Sequence, residues 1–405
     1  MRSARGFSLV ELMIAIVLGL LVTDAMVAMF VSVRSAARTT EGVAGLSDSG
    51  RYALDTIEQI TRGAGNLACN STAPVSAAGI NLARLENVLN AVGSPLLTNY
   101  DQPLSGYEAV GSAPGNTITI SATPALLATP GANDWVSTPT LGNALDASLV
   151  SPPIPTGQNM PTGTIIAGSD ILVVHETLPA SVPAYTTQDA TGAAAFTISS
   201  GSTFSGAGQI AAISNCAQAQ LFELGGFSAA TQTVTVAGAP TPGNSLGTLD
   251  PNGGIFPVGS QIDPVDTVVF YVGIGVDGDG ALFRYDGNGG VIGGAYSTNE
   301  ELVPDVENMQ VLYGIETANS SATQTAAQYV TADQVEAKSS THDFNGVISV
   351  RISLLVASPP GAVPKGTGVT ASPPALLGTN WTLAAPDNRM RKVYEQTMYL
   401  RNMSP

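Results

Sequence analysis

The first eleven residues hold the groups whose types and spacing suit chemistry best. Gly6 precedes Phe7, and Glu11 stands four positions beyond Phe7. Hydrolysis of the Gly6–Phe7 peptide bond would free an α-amino group on Phe7 one helical turn from the Glu11 carboxylate, and the same amine on a second copy would be an equally good cation. Glu11 needs such a partner because it sits at the head of an apolar run. A carboxylate near or within a bilayer is costly unless it is neutralised or paired.

Other chemistry is sparser. Asp277, Asp279, Asp286 and Asn288 are oxygen ligands in glycine-rich turns and are the candidates for Ca²⁺. Their spacing is not that of an EF-hand loop, and Asp-Gly and Asn-Gly are ordinary hairpin-turn residues, the preferred reading, so no metal is assigned. Gly243-Asn-Ser245-Leu-Gly247 fits the G-x-S-x-G of a nucleophile elbow, but that motif needs a strand before it and a helix after it. Here APTP precedes and TLDPNGG follows, and both read as turns. His175 and His342 are the only histidines, the first reading as a structural residue at a strand end and the second as a loop residue. Neither a G-x-x-x-x-G-K-[ST] loop nor an H-E-x-x-H helix occurs, so no catalytic residue and no cofactor is assigned and an enzyme is not expected. Cys69 and Cys216 are the only cysteines. They are read as one disulfide if the body matures in an oxidising compartment, against the alternative of two buried thiols.

The element that must position Glu11 begins with a short basic leader, MRSARG, followed by a mostly apolar run that ends at Arg34. An ordinary secretory signal carries its small-residue cleavage site after the apolar region, whereas this glycine lies before it. Leu12 to Val33 is 22 residues, roughly 33 Å of helix and enough to cross a hydrocarbon core. Arg2 and Arg5 keep the leading end cytoplasmic by the positive-inside bias, so the remainder is exported. Asp24, roughly 25 Å along the axis from Phe7, is read as an interfacial, solvated carboxylate.

Helix is expected to continue well past the span, because the first of the 26 prolines is Pro74. Val43, Leu46, Gly50, Ala53, Ile57 and Ile60 recur at spacings of three and four and form a narrow seam for packing on a sheet. The resulting helix, Phe7 to about Arg62, would be roughly 84 Å long. Gly42, Gly45 and Gly50 predict a bend or local melting, and Gly63 and Gly65 supply the stop.

The rest reads as β-rich. With 44% hydrophobic residues the chain can bury a core, while 11% charged residues, 44 glycines and 26 prolines favour short strands and turns over a bundle. Net charge is −16 and no Lys or Arg occurs between Arg84 and Arg284, which disfavours nucleic-acid binding. From about Ala73 to Gly208 the chain is rich in Ala, Gly, Pro, Ser and Thr and reads as loops with short strands such as 116–121 and 170–175. Thr267 to Val272 and Ala281 to Tyr285 form a predicted hairpin across Asp277-Gly-Asp-Gly280. Gly346 to Val356 alternates as a half-buried strand, and Val393 to Leu400 reads as the last one.

The residues Gly6, Phe7, Ser8, Leu9, Val10 and Glu11 match one by one the G-F-[ST]-L-[IV]-E processing site, and in this the chain resembles the type IV prepilins. The resemblance implies cleavage between Gly6 and Phe7, N-methylation of Phe7 by a prepilin peptidase, and pairing of Glu11 with a neighbour's amino terminus during assembly. The stretches 50–69, 215–224, 301–317, 329–335 and 345–358, in their order and spacing, are similar to those of PilW-type minor pilins; 73–208 is poorly covered.

That likeness implies an α+β pilin-like fold: leader 1–6, membrane or filament-core helix 7–33, amphipathic continuation 34–66, and an antiparallel β-rich domain 67–405. It implies a low-abundance type IV pilus subunit that helps initiate assembly near the tip and serves adhesion and twitching motility. Its partners would be other minor and major pilins, the prepilin peptidase and the inner-membrane assembly platform. The chain would sit in the inner membrane before assembly and at the pilus surface afterwards. A Cys69–Cys216 bridge would tie the helix end to the sheet. The alternatives are a minor pseudopilin of type II secretion and a pilin-anchored adhesin working through 73–208.

Overall fold

The computed structural model describes residues 8–67, 70–71, 84–90, 100, 102–121, 134–137, 165–177, 183–202, 204–215, 218–236, 238, 243–249, 255–287, 298–315, 326–338, 344–363, 374–385 and 387–400. One helix, α1 (Leu9–Thr61), precedes a strand-rich body. Ser8 is its extended N-cap, with φ −72° and ψ 142°, and the Ser8 N–H donates to Glu11 Oε2 at 3.0 Å. The helix stops at Arg62, and Gly65 then takes φ +71°, a left-handed turn open to glycine without penalty.

Ten strands carry the body: β1 (Leu104–Ala109), β2 (Ile171–Thr177), β3 (Ile210–Ser214), β4 (Gln218–Glu223), β5 (Gln261–Ile274), β6 (Gly280–Asp286), β7 (Thr298–Pro304), β8 (Val306–Ile315), β9 (Val347–Ala357) and β10 (Arg391–Tyr399). In the larger sheet, β4, β3, β5, β2 and β1 lie side by side in that order, and β6 and β7 branch from the far half of β5. β5 serves both halves. Its first residues pair with β3 (Ile213↔Ile262), and its later ones pair with β2 (Val268↔Val174) and β6 (Val268↔Asp286). The β5–β6 hairpin predicted from the Asp-Gly turn is therefore present, and 116–121 and 170–175 yield strands at Thr117–Ile120 and at β2. In the smaller sheet Gln328–Val330, β8, β9 and β10 run antiparallel in that order. The Ala- and Gly-rich region contributes β2, paired directly with β5, and β1 beyond it to the larger sheet, so part of it is integral to the framework.

The second half of α1 lies across this body. Leu46, Ala53, Leu54, Ile57 and Ile60 join one core with Leu172, Val174, Phe270, Val303, Val311, Val350, Ile352, Leu354, Val356 and Met398. Full burial of each such side chain is worth about 1.5–3 kcal/mol, so this seam dominates the attachment of the helix. Its composition differs from the expected one: Val43 is 52% exposed, while Gly42 and Leu54 are buried.

The helix does not melt at the glycines: α1 is continuous from Leu9 to Thr61. Gly42 and Gly50 are contact points. A Cβ on Gly50 would lie 2.5 Å from the Tyr394 ring on β10, and one on Gly42 would lie 2.9 Å from the Ala362 Cβ and 3.1 Å from the Met390 methyl. The helix comes so close to the sheet that only hydrogen fits, and the packing recovered there offsets the low helix propensity of glycine.

β9 also departs from expectation: both of its faces are buried. Val350, Ile352, Leu354 and Val356 face α1, while Leu355 packs with Ile118, Ile120, Leu376 and Trp381 under the parallel pair Thr117–Ile120 and Asn380–Leu383. A register shift pairs Gly314 with Ser349 but Ile315 with Val347, which makes Ile348 a bulge and turns Val347 toward the helix core.

Candidate functional site

Along the first half of α1 the apolar side chains touch nothing. Leu9, Leu12, Ile16, Leu20, Val27, Phe30 and Val33 are all more than half exposed, and the segment has a mean hydropathy of 2.5 over 18 residues. A helix apolar on every side is built for lipid or for other helices. Glu11 is the third residue of this bare rod. With Ser8 it forms a capping box, S-x-x-E, in which the carboxylate accepts the otherwise orphaned N–H of Ser8. The carboxylate is thus held at the positive end of the helix dipole, with a second oxygen left for another donor. Ser8 enters the sequence reading only as part of the Gly6–Glu11 motif; its capping role was missed, although S-x-x-E before an apolar run is a legible signal. Gly6 and Phe7 lie outside the described residues. Asp24 is exposed on the same rod, beside Thr23, whose hydroxyl donates back to the carbonyls of Gly19 and Leu20 at 2.9 Å.

Where the rod meets the body, several interactions fix its direction. The Thr39 hydroxyl donates to the Ala362 carbonyl at 2.9 Å, and Gln396 Nε2 on β10 donates to Glu58. The segment that receives Gly42 is held by a buried ion network. Arg389 and Arg391 are only 3% and 4% exposed in their side chains. Arg389 Nη2 meets Asp279, and Asp305 Oδ1 at 3.2 Å. Arg391 takes both oxygens of Glu307, at 2.6 and 2.8 Å, and also pairs with Asp387. The network ties the β5–β6 turn, the β7–β8 corner at Asp305 (φ +61°) and the entry to β10 into one unit. Burial lifts the Asp305 carboxyl above its ordinary range despite Arg389, and Asp279, Asp277 and Glu301 add to the rise.

The metal candidates are not brought together. Asp277 and Asp279 lie at one end of β6 and Asp286 at the other, about 20 Å apart at the rise of a strand. Asp279 is paired with Arg389, and Asp286 takes Arg284 Nε at 2.7 Å; Asn288 lies outside the described residues. Cys69, Cys216 and His342 also lie outside them. Ser245 sits in a bend; the described residues 243–249 around it hold an isolated β-bridge at Asn244 and no helix, and its hydroxyl donates to the Val88 carbonyl at 3.0 Å. His175 is packed at 4.6 Å on the Tyr100 ring with Nδ1 at 2.9 Å from the Thr267 hydroxyl, and burial lowers its pKa to about 3.

A buried carboxyl pair joins the two sheets. Asp170 accepts the Ala109 N–H and the Val311 N–H, both at 2.9 Å, and the Ser112 hydroxyl at 3.2 Å. Glu108, whose other partner is Ser112, is held well above the usual carboxylate range by burial and then by the Asp170 charge. Burial raises the Asp170 carboxyl too, but the Ala109 and Val311 N–H groups and Ser112 pull it back down, so Glu108 is the member of the pair that holds its proton to higher pH. A raised folded pKa means that the unfolded chain releases this proton earlier. Its stabilising contribution is complete below the ordinary Glu value and is lost as pH rises toward the folded one. The unfolding free energy of the full chain in detergent, read by urea titration, should fall between pH 7.5 and 9, by up to about 1.4 kcal/mol per pH unit from this group, and Glu108→Gln should flatten that part of the fall. His175 is neutral in both states throughout this window and does not contribute. Parallel profiles for the two proteins would refute the assignment.

Two family models match the chain. The prokaryotic N-terminal methylation motif covers residues 1–23, and type IV pilus-assembly protein W covers residues 269–402. The second match takes in β6 to β10 and every member of the buried arginine network. No curated protein and no solved structure matches the chain. A methylation motif at the head of the bare helix, and a pilus-assembly segment forming the sheet on which that helix rests, together support a type IV prepilin-like protein of the PilW type, to which the chain is similar over those two segments.

Proposed function

We propose that the chain is a minor pilin, made as a precursor, cut between Gly6 and Phe7, methylated on the Phe7 amine and incorporated into a type IV pilus, where it helps to start assembly near the tip. Before assembly it sits in the inner membrane with its leading end in the cytoplasm, and afterwards it is part of the pilus at the cell surface. Its partners are other minor and major pilins, the prepilin peptidase and the assembly platform. Its role is structural, with no catalytic step of its own.

The observation that carries this reading is the uncovered apolar rod with one carboxylate in its first turn. Such a rod is stable in lipid, and it is equally stable among like helices that exchange lipid for one another's surfaces. The Glu11 carboxylate, which accepts the Ser8 N–H and has no ion pair among the described residues, can take a neighbour's terminal amine and fix the axial stagger. Mass spectrometry of the mature N-terminus tests the first step. Methylated Phe7 is expected as residue one, whereas a chain still starting at Met1, or trimmed beyond Val33, would defeat the proposal.

A further inference from the structure

A cavity of about 330 Å³ opens where α1 leaves the body, between Phe30, Arg34 and Arg38 on the helix and Gly361, Val363 and Asn388 on the domain. At roughly 30 Å³ per water it has the room of about ten waters, ample for a phosphodiester group. Its wall is built. The Asn388 carbonyl accepts the N–H groups of Gly361 and Val363 at 3.2 Å, and Thr39 anchors Ala362 to the helix. Its charge is opposite to that of the molecule: the chain carries −16, yet among the described residues the lining holds two arginines and no carboxylate. Both arginines are exposed, and neither is ion-paired among the described residues.

We infer that this cavity binds the headgroup of an anionic phospholipid at the domain-side surface of the membrane. The inference rests on α1 being a membrane span. With Leu12–Val33 filling the hydrocarbon core, Phe30 and Val31 lie at acyl depth and Arg34 at its edge. Arg38 stands about 6 Å higher, at the level of the phosphates. The two arginines sit one turn apart on the same face, and their forked donors match phosphate oxygens in pairs. The domain wall closes the site from the other side, so the lipid is gripped between helix and body and not merely attracted to a charged surface.

The test uses the full-length chain, purified in detergent, incubated with phosphatidylglycerol and phosphatidylcholine and weighed intact by native mass spectrometry. Wild type should retain phosphatidylglycerol in preference. Arg34→Ala and Arg38→Ala should each lower retention about fivefold and the pair about 25-fold, while Arg51→Ala, an exposed arginine higher on α1, should not. Val363→Trp, which fills the cavity and keeps both arginines, should also lower it. Undiminished retention in the double variant or in Val363→Trp overturns the inference. So does displacement of the lipid by inorganic phosphate alone, which would make this a free-anion site, or capture of a second copy through Arg34 and Arg38 in place of lipid. Flotation on phosphatidylcholine vesicles separates the levels. A chain that does not float removes the membrane span itself, while one that floats without preferring phosphatidylglycerol removes the headgroup site alone.

Discussion

Replacing Glu11 by alanine should leave the chain in the membrane and take it out of the filament. Insertion depends on the apolar length from Leu12 to Val33, which the substitution leaves intact and makes more apolar at its head. On the proposed function, incorporation depends on a charge pair formed away from water, and truncating one partner of such a pair costs about 2–5 kcal/mol. The ratio of sheared-pilus to membrane protein should therefore drop at least tenfold. Because Glu11 also caps the helix, Glu11→Gln separates the two roles: glutamine still accepts the Ser8 N–H but carries no charge. Equal loss in both variants assigns the effect to the charge. Normal incorporation of Glu11→Gln would reduce the residue to a cap and remove the basis for the axial stagger.

Arg389→Met should be the most damaging single change in the body, lowering stability by about 3–5 kcal/mol. Its guanidinium is buried against Asp279 and Asp305, and removing it leaves those two carboxylates without their shared counter-charge, while Glu307 keeps Arg391. Asp305 is already strained toward protonation by burial and by its acidic neighbours. Adding Asp279→Asn and Asp305→Asn to the variant should recover much of the loss, since the cost lies in uncompensated charge more than in lost packing. Denaturant titration of the full chain in detergent reads both effects. A loss below about 1 kcal/mol would mean that water reaches the cluster and that it contributes only as a surface ion pair does. The same variant should loosen the seat of Gly42, because Arg389 precedes Met390 in the segment that meets it.

The sequence by itself determined the parts whose signal fits within one window of chain. Proline-free length and a three-four seam specify α1, the Asp-Gly turn specifies the β5–β6 hairpin, and alternation finds β9. The six residues around Gly6 to Glu11 were legible because a processing site is read as an extended local motif; Ser8 as a cap was equally local and only needed to be looked for.

What tertiary structure alone decided is what depends on register between distant strands. Glycines that look like helix breakers become contact points only because β10 passes beneath them. The far face of β9 is buried only because Thr117–Ile120 and Asn380–Leu383, far apart in the chain, pair over it. Asp279 and Arg389 are 110 positions apart, and neither charge announces the other in sequence. An ion pair is a property of distance in space, and loop closure sets that distance after the local patterns have done their work.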